Sequence, residues 1–206
     1  MYKIIASGSK GNAILYFDSI LLDCGVPYSL LKQYSGRIKL VLLSHAHGDH
    51  FNLSTIKRLS FEHPSVRFGC GEFLAEYLSG IRNVDIYEAG KMYDYGQFKI
   101  SPVILYHDTP NFGYRIFKGD KKIIHATDSY TLEGISAKNY DVYALEANYD
   151  EETVFDIISE QRMRGEYAHG EGSMNSHLSR QQAQNFVLQN AGNNYEFVML
   201  HQSSVY

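Results

Sequence analysis

Three histidines and one aspartate lie within six residues of this sequence, in His45-Ala46-His47-Gly48-Asp49-His50. Imidazole nitrogens and carboxylate oxygens are ligands that zinc and similar divalent ions take from proteins. Because alternate side chains of an extended segment point the same way, His45 and His47 could hold one ion and leave Asp49 and His50 for a second. The chain has only nine histidines, so this spacing predicts a metal site rather than a polar loop.

One cluster cannot complete two coordination shells, so a dinuclear site needs ligands from elsewhere in the chain. Three candidates follow apolar runs, where a strand would deliver a side chain at its end, and a fourth precedes a helix. A lone histidine is more often a core or surface residue than a ligand, and His125, within a predicted strand, is interpreted as structural. The candidates after apolar runs are His107, Asp128 and His201, and the one before a helix is His177.

Two series of short strands are predicted to position these residues. Apolar or alternating runs place the first at residues 2–6, 12–17, 20–22 and 40–43, and the second at 84–87, 91–93, 98–105, 114–117, 121–126 and 195–200. Helices are predicted after Asn52, over 71–79, over 151–164, and from the capping box Ser179-Arg180-Gln181-Gln182 through Leu188. Residues 8–11 lack the Gly-Lys-Ser/Thr ending of a phosphate-binding loop and predict a turn.

Composition limits the domain organisation, the compartment and the class of partner. With four prolines and no low-complexity stretch, residues 1–206 are expected to form a single domain. Neither a signal peptide nor a membrane span is predicted, and two cysteines do not make a disulfide framework, so we expect a cytoplasmic protein. A net charge of −4 argues against non-specific coating of nucleic acid, but a nuclease remains open because bound metal ions supply positive charge.

With these residues in place, the chain resembles the metallo-β-lactamase superfamily. The cluster matches the superfamily's His-x-His-x-Asp-His signature, and other segments match in the family's order along nearly the whole chain. The resemblance implies a mixed α/β fold with four layers, an αββα sandwich. The other matching segments are Ser7-Gly8-Ser9-Lys10-Gly11-Asn12, Leu21-Leu22-Asp23-Cys24-Gly25, Tyr106-His107-Asp108, Ala126-Thr127-Asp128-Ser129 and Leu200-His201.

Two branches of the superfamily are the most similar. The Ser-Gly-Ser-x-Gly-Asn start, Leu145-Glu146-Ala147-Asn148-Tyr149-Asp150 and His177-Leu178-Ser179 resemble the bacterial YycJ-like (WalJ) proteins, which are regarded as DNA-processing, exonuclease-like hydrolases. The ending His201-Gln202-Ser203-Ser204-Val205-Tyr206 resembles tRNase Z, the tRNA 3′-end endonuclease. No long insertion separates Asp128 from His177, so the resemblance predicts neither a β-CASP domain nor a substrate-gripping arm.

The resemblance also implies a ligand set for two divalent ions, with zinc expected and manganese or iron as alternatives. Such a pair of ions would generate an attacking hydroxide and neutralise charge on a phosphate. One ion would be held by His45, His47 and His107, the other by Asp49, His50 and His201, and Asp128 would bridge them.

Further side chains are expected to act beside the ions. Asp49 would orient the nucleophile, His177 would face the leaving oxygen, and Glu146 would orient His177. The alternative for His177 is a helix-entry residue without a catalytic part. Asp23 would accept a hydrogen bond from a ligating histidine, or else is a plain turn residue in Asp23-Cys24-Gly25.

Three functions follow from these expectations, and the first is favoured. It is a metal-dependent phosphodiesterase or nuclease acting on DNA or RNA. The second is a hydrolase of a small-molecule ester, lactone or thioester on the same fold. The third is a metal-binding or sensing module without catalysis, against which an intact ligand set argues. A homo-oligomer is also open, since a nuclease without a substrate arm could use a partner subunit.

Overall fold

The computed structural model describes residues 1–164 and 174–203. The chain forms two compact units, Met1–Glu88 and Ala89–Tyr206. The described residues of each unit build one six-stranded sheet accompanied by helices, so the predicted mixed α/β class is confirmed. In the ranges that the structure describes, no helix is both long and apolar enough to cross a membrane.

The first unit contains strands β1 to β6 in sequential order across its sheet. The first three pair antiparallel, and β3 to β6 run parallel to one another. Helix α1 (Tyr28–Ser35) connects β3 to β4, and helix α2 (Leu53–Glu62) connects β4 to β5. The strands are β1 (Tyr2–Ala6), β2 (Ala13–Tyr16), β3 (Ile20–Leu22), β4 (Leu40–Leu42), β5 (Arg67–Gly71) and β6 (Val84–Tyr87).

The central strands of this unit are apolar at every position because both faces of the sheet are covered. β3 reads Ile-Leu-Leu and β4 reads Leu-Val-Leu, and all six residues are buried, as is typical of parallel strands. Helix α2 begins where Asn52 Oδ1 accepts a hydrogen bond from Thr55 N at 3.1 Å. Its Ile56 and Leu59 then bury their side chains in the core.

The second unit contains strands β7 to β12, with sheet order β12-β11-β10-β9-β8-β7. Strands β7 to β10 pair antiparallel, whereas β10, β11 and β12 are parallel neighbours. Helix α3 (Val154–Met163) follows β11, and helix α4 (Arg180–Asn190) precedes β12. The strands are β7 (Tyr93–Asp94), β8 (Lys99–Leu105), β9 (Asn111–Lys118), β10 (Lys121–Ala126), β11 (Val142–Glu146) and β12 (Glu196–Leu200).

The predicted capping box of α4 is present in full. Ser179 Oγ accepts from Gln182 N at 2.9 Å, and Gln182 Oε1 accepts from Ser179 N at 2.8 Å. The reciprocal bonds fix the point where the chain enters the helix, two residues after His177.

The helix predicted over residues 71–79 is wrong. The structure has two short 3-10 turns there, Glu72–Leu74 and Glu76–Leu78. No side chain caps the first turn at Gly71, and Ser79 has an extended ψ of 126° that ends the second. A segment this short, without a cap, cannot offset the cost of nucleating an α-helix.

Three elements were not predicted, helix α1 and strands β5 and β11. The remaining predicted strands and helices are present with ends shifted by up to three residues. Residues 204–206, which complete the tRNase Z-like ending, lie outside the described residues.

Candidate metal centre

The predicted metal motif follows the carboxyl end of β4 in the first unit. β4 ends at Leu42, and the loop after it closes a turn in which His50 N donates to His47 O at 2.9 Å. The turn brings the imidazoles together. The ring centroid of His45 lies 4.8 Å from that of His47 and 4.4 Å from that of His50.

The segment after β3 runs directly beside this loop. Cys24 N donates to His50 O at 3.0 Å, which forms an isolated bridge between the two segments. A Cβ atom at Gly25 would come within 1.7 Å of Asp49 O, so the close approach requires glycine. The Asp-Cys-Gly sequence therefore holds the end of β3, and with it Asp23, against the metal loop.

Asp23 is a fully buried carboxylate that binds both ends of the histidine motif. Its Oδ1 accepts from Ser44 N at 2.8 Å, and its Oδ2 accepts from Ser44 Oγ at 2.9 Å. Oδ2 also lies 2.6 Å from His50 Nδ1. The predicted contact between Asp23 and a histidine of the motif is thus present.

These bonds determine which nitrogen of each imidazole carries the proton. A carboxylate only accepts, so His50 donates from Nδ1 and keeps its lone pair on Nε2. Ser44 uses its one hydroxyl hydrogen on Asp23, so Ser44 Oγ accepts from His45 Nδ1 at 2.9 Å. His45 therefore also carries its lone pair on Nε2. One buried carboxylate prepares two histidines to bind a cation through Nε2.

Asn12 supports the same loop from the N-terminal turn. Its Nδ2 lies 2.8 Å from His50 Nε2 and 3.3 Å from Asp49 Oδ2. Its Oδ1 accepts from Gly8 N at 2.9 Å, and Gly11 N donates to Gly8 O at 3.0 Å, so the predicted turn is confirmed. An amide donor beside Nε2 agrees with a lone pair on that nitrogen.

In the second unit, the candidate residues come from strand ends at one edge of the sheet. Asp128 comes two residues after β10, Glu146 is the last residue of β11, and His201 directly follows β12. These three strands are parallel neighbours, so their carboxyl ends lie side by side. Both β8 and β10 pair antiparallel with β9, so β8 ends at the same edge of the sheet as β10. The chain leads from the end of β8 to His107.

Glu146 is the centre of this second group. It is fully buried, and its Oε1 lies 2.5 Å from His177 Nδ1 and 3.3 Å from His201 Nδ1. Its Oε2 accepts from Ser129 N at 3.1 Å and from Leu178 N at 3.2 Å. The carboxylate is therefore fixed on both oxygens, and the predicted contact between Glu146 and His177 is present.

Asp128 lies between the two histidines of this group. Its Oδ1 is 3.6 Å from His177 Nδ1 and 3.6 Å from His201 Nε2. Asp128, Glu146, His177 and His201 each place one potential ligand atom within 4.8 Å of the others. Asn148, which was not predicted to act here, holds His201 by donating from Nδ2 to the His201 backbone oxygen at 3.0 Å.

His177 differs from His107 and His201 in its exposure. Its side chain is 18% exposed, against 8% for His201 and 3% for His107. Burial lowers the pKa of His177, but the hydrogen bond to Glu146 and the negative charges of Glu146 and Asp128 outweigh it and raise the pKa above 6.5. An imidazole that is held on one nitrogen and open to solvent is suited to proton transfer.

His107 has the environment of a neutral imidazole. Burial lowers its pKa, although the charges of Asp128 and Asp108 oppose the effect. Its Nδ1 lies 3.0 Å from Ser176 O and its Nε2 lies 3.1 Å from Asp108 Oδ1, so both ring nitrogens face groups that only accept. A metal ion at Nε2 would let the ring keep its proton on Nδ1, where it donates to Ser176 O.

Three of these residues have left-handed backbone conformations. Asp23 has a φ of 61°, Asp128 of 59° and His201 of 49°, and each comes within two residues of the end of a strand. Residues other than glycine rarely adopt this region, and such conformations cluster at functional sites. The donor chemistry agrees, because Asp128, Glu146, His177 and His201 of the second unit form a set that can hold a divalent metal ion. In the first unit, His45 and His50 present oriented nitrogens beside the buried Asp23.

Two supporting residues in the first unit were not foreseen in these roles. Ser44 directly precedes His45 and relays the charge of Asp23, a position that could have suggested the contact. Asn12 lies 38 residues from His50 in the sequence, and no local pattern connects them.

Comparisons with known proteins agree with this fold. The model of the "Beta-lactamase superfamily domain" family matches residues 19–184, which include parts of both units. The ribonuclease Z of Thermosynechococcus vestitus is 28% identical over 120 residues. That alignment spans 49% of this chain and 30% of the ribonuclease Z, so the chain covers less than a third of that relative's length.

Solved structures show the same fold at low sequence identity. The metallo-β-lactamase fold protein YhfI from Bacillus subtilis is 17% identical, with a TM-score of 0.74 over 98% of this chain and 85% of that one. The short form of human tRNase Z is 19% identical, with a TM-score of 0.69 over 98% of this chain and 93% of that one. The predicted superfamily and fold are confirmed, and the chain belongs to the beta-lactamase superfamily domain family with the metallo-β-lactamase fold.

Proposed function

We propose that the protein is a metal-dependent phosphodiesterase that cleaves nucleic acid at a dinuclear centre. One observation carries the proposal: the partly exposed His177 is hydrogen-bonded to the buried Glu146 and lies beside Asp128. Cleavage of a phosphodiester needs a group that protonates the departing oxygen, and this pair supplies one next to a predicted ligand. The similarity to a ribonuclease Z and the fold shared with a tRNase Z support the same class of bond.

The proposed centre uses the ligand set that the family resemblance implies. We expect two ions, zinc or else manganese or iron, which when bound lower the pKa of a water and neutralise charge on the phosphate. The oriented Nε2 atoms of His45 and His50 support their assignment as ligands. The proposed ligands are His45, His47 and His107 for one ion, Asp49, His50 and His201 for the other, and Asp128 for both.

The side chains around the ions would then divide the work. Asp49 would accept a hydrogen bond from the attacking water and so orient it, while Asn12 Nδ2, 3.3 Å from Asp49 Oδ2, steadies the carboxylate. His177 would deliver a proton from Nε2 to the leaving oxygen, since its Nδ1 is bound to Glu146. Glu146 would orient His177 and stabilise its charged form.

The proposal extends to the compartment and the assembly. Cys24 and Cys70 are both buried and unpaired with each other, which agrees with a protein of the reducing cytoplasm. A homo-oligomer stays a prediction, and sedimentation of the metal-loaded protein would test it.

The test is a cleavage screen with the metal that elemental analysis finds in the purified protein. We expect hydrolysis of bis(p-nitrophenyl) phosphate and of DNA or RNA, and a loss of at least about 100-fold in Asp49→Ala, since groups that stabilise the transition state are worth roughly this much. Asp18→Ala is the matched control. The Asp18 carboxylate is 73% exposed. Asp18 comes before β3, at the opposite end of that strand from Asp23 and the metal loop beside it.

The outcomes separate the three functions. Turnover of lactones, thioesters or β-lactams without turnover of phosphodiesters would replace the proposal by the small-molecule hydrolase. Tight metal uptake without turnover of any substrate would replace it by a binding or sensing module. Cleavage of phosphodiesters that is unchanged in Asp49→Ala would show that the activity belongs to another site or to a contaminant.

A further inference from the structure

Two exposed tyrosines form a pair in the second unit, beside the candidate residues. Tyr106 is 47% exposed and Tyr130 is 46% exposed, and their ring centroids are 5.9 Å apart. Neither belongs to the core cluster of this unit. Both line a depression of about 590 Å³, a size typical of small-molecule sites. Its lining consists of Tyr106, Tyr130, Thr131, Glu133, Gly134 and Gln182.

The backbone ties this pair to the proposed ligands. Tyr106 directly precedes His107, and Tyr130 comes two residues after Asp128. Tyr130 N donates to Tyr106 O at 3.0 Å, and Tyr106 N donates to Ser129 Oγ at 3.1 Å. The two rings therefore extend from segments that are bonded to each other and that carry a candidate ligand each.

The polar groups of the depression suit a neutral, planar partner with hydrogen-bonding edges. Gln182 Oε1 is occupied by Ser179 N in the capping box, so its exposed Nε2 amide is the group that can donate. Glu133 is exposed and offers carboxylate oxygens that accept. A phosphate would be repelled by Glu133, whereas the amino and carbonyl groups of a nucleobase match both partners.

We propose that Tyr106 and Tyr130 form a nucleobase subsite, which stacks a base of the nucleotide next to the bond that is cut. The inference rests on the proposed nuclease function and narrows its substrate to single-stranded nucleic acid, because a base stacks on a side chain only when it has left its own helical stack. Gln182 and Glu133 then contact the edge of that base.

The experiment uses metal-loaded protein and octathymidylate, together with a series of octamers in which one residue at a time is abasic. In the wild type we expect one position where loss of the base lowers kcat/KM by about 5- to 100-fold, the range that base stacking on an aromatic ring supports. Tyr106→Ala and Tyr130→Ala should lower kcat/KM on the intact octamer by a similar factor and have no further effect on that abasic octamer.

Two variants serve as controls. Tyr106→Phe keeps the ring and should retain most of the activity, because stacking does not need the hydroxyl. Tyr195→Ala removes a tyrosine that is 44% exposed. Tyr195 comes before β12, at the opposite end of that strand from His201, so this variant should leave kcat/KM unchanged. An equal loss in Tyr106→Ala on intact and abasic octamers, or no loss at all, would overturn the subsite.

Failure of the subsite and failure of the function can be told apart. Binding of fluorescein-labelled octathymidylate, followed by fluorescence anisotropy, does not require turnover. Base-dependent binding that Tyr106→Ala weakens, with no cleavage by the wild type, would uphold the subsite and reject the nuclease. Cleavage by the wild type that prefers duplex over single-stranded DNA would uphold the nuclease and reject the subsite.

Discussion

The two units hold their candidate residues by the same device, with different consequences. In the first unit, buried Asp23 binds His50 directly and His45 through Ser44, and both histidines are at most 1% exposed. In the second, buried Glu146 lies 2.5 Å from His177, whose side chain is 18% exposed, and 3.3 Å from the buried His201. A carboxylate that fixes buried imidazoles favours metal binding, whereas one that fixes an accessible imidazole favours proton transfer.

Removal of the accessible imidazole should have the largest effect on this contrast. His177→Ala is expected to lower kcat for phosphodiester cleavage by about 10²- to 10⁴-fold, the usual contribution of general acid catalysis, because His177 is the group proposed to protonate the leaving oxygen. Metal content, measured by elemental analysis after desalting, should match that of the wild type.

A leaving-group series distinguishes this role from a structural one. When p-nitrophenolate leaves, no proton is needed, so kcat of His177→Ala should approach that of the wild type. When an alkoxide of ribose leaves, the variant should show the full loss of kcat, about 10²- to 10⁴-fold. Equal losses of kcat for both leaving groups, or a loss of metal together with activity, would indicate that His177 is a metal ligand. The contrast between metal-binding histidines and a proton-transferring His177 would then be wrong.

The two buried carboxylates should give opposite phenotypes. In Asp23→Asn, an amide nitrogen that faces His50 Nδ1 would force that nitrogen to accept, so the proton would move to Nε2 and block coordination there. We expect metal affinity to fall by about 10- to 100-fold. Competition with a chromogenic chelator measures it, and the exposed Asp18→Asn is the control.

Glu146→Gln should instead lower kcat by about 10- to 100-fold and reduce metal affinity less than Asp23→Asn does, because Glu146 lies 2.5 Å from His177 but 3.3 Å from the proposed ligand His201. Its amide nitrogen would face His177 Nδ1 and disfavour the charged ring that donates a proton from Nε2, while the backbone bonds from Ser129 and Leu178 to the other oxygen can remain. Glu160→Gln, which changes a side chain that is 62% exposed, is the matched control. A metal-affinity loss as large as that in Asp23→Asn would contradict the division of roles.

The same contrast explains which parts of the centre the sequence could reveal. The candidate histidines of the first unit lie within six residues of one another, so their spacing alone indicates a metal site. Those of the second unit become neighbours only because β10, β11 and β12 are adjacent and parallel, and pairing order cannot be read from a strand by itself. Their assignment came from their places at strand ends and from the family resemblance.

Two of the elements that were missed, β11 and α1, lack a local signal. β11 reads Val-Tyr-Ala-Leu-Glu, which is buried at every position and shows neither alternation nor a helical period. Helix α1 has Pro27 at its N-cap and no side-chain cap, and it forms because residues such as Leu31 pack into the core of its unit. Tertiary packing determined both elements, and that information is not local.

The smallest expected effects test whether the two units unfold together. Each has a helix whose N-cap comes two residues after a candidate histidine: Asn52 after His50 and Ser179 after His177. Asn52→Ala and Ser179→Ala should each cost about 1 kcal/mol of stability, because each leaves an amide at a helix start without its acceptor.

Both cysteines lie in the first unit, so their alkylation reports on the opening of that unit alone. Burial raises the pKa of Cys24 far above its usual value and that of Cys70 to about 12, so in the folded protein near pH 8 both thiols stay protonated and do not react. Opening lowers both pKa values to their ordinary range, and the alkylation rate then follows the population of the open state.

If residues 1–206 are one domain, as predicted, Asn52→Ala and Ser179→Ala should both speed iodoacetamide alkylation by about 2- to 30-fold, because either one destabilises the whole chain. Asn52→Ala alone would have this effect if the first unit opened independently, since Ser179 belongs to the other unit. Added metal should slow the alkylation of the wild-type protein, and equal slowing in Asp128→Ala would contradict the assignment of Asp128 as a ligand.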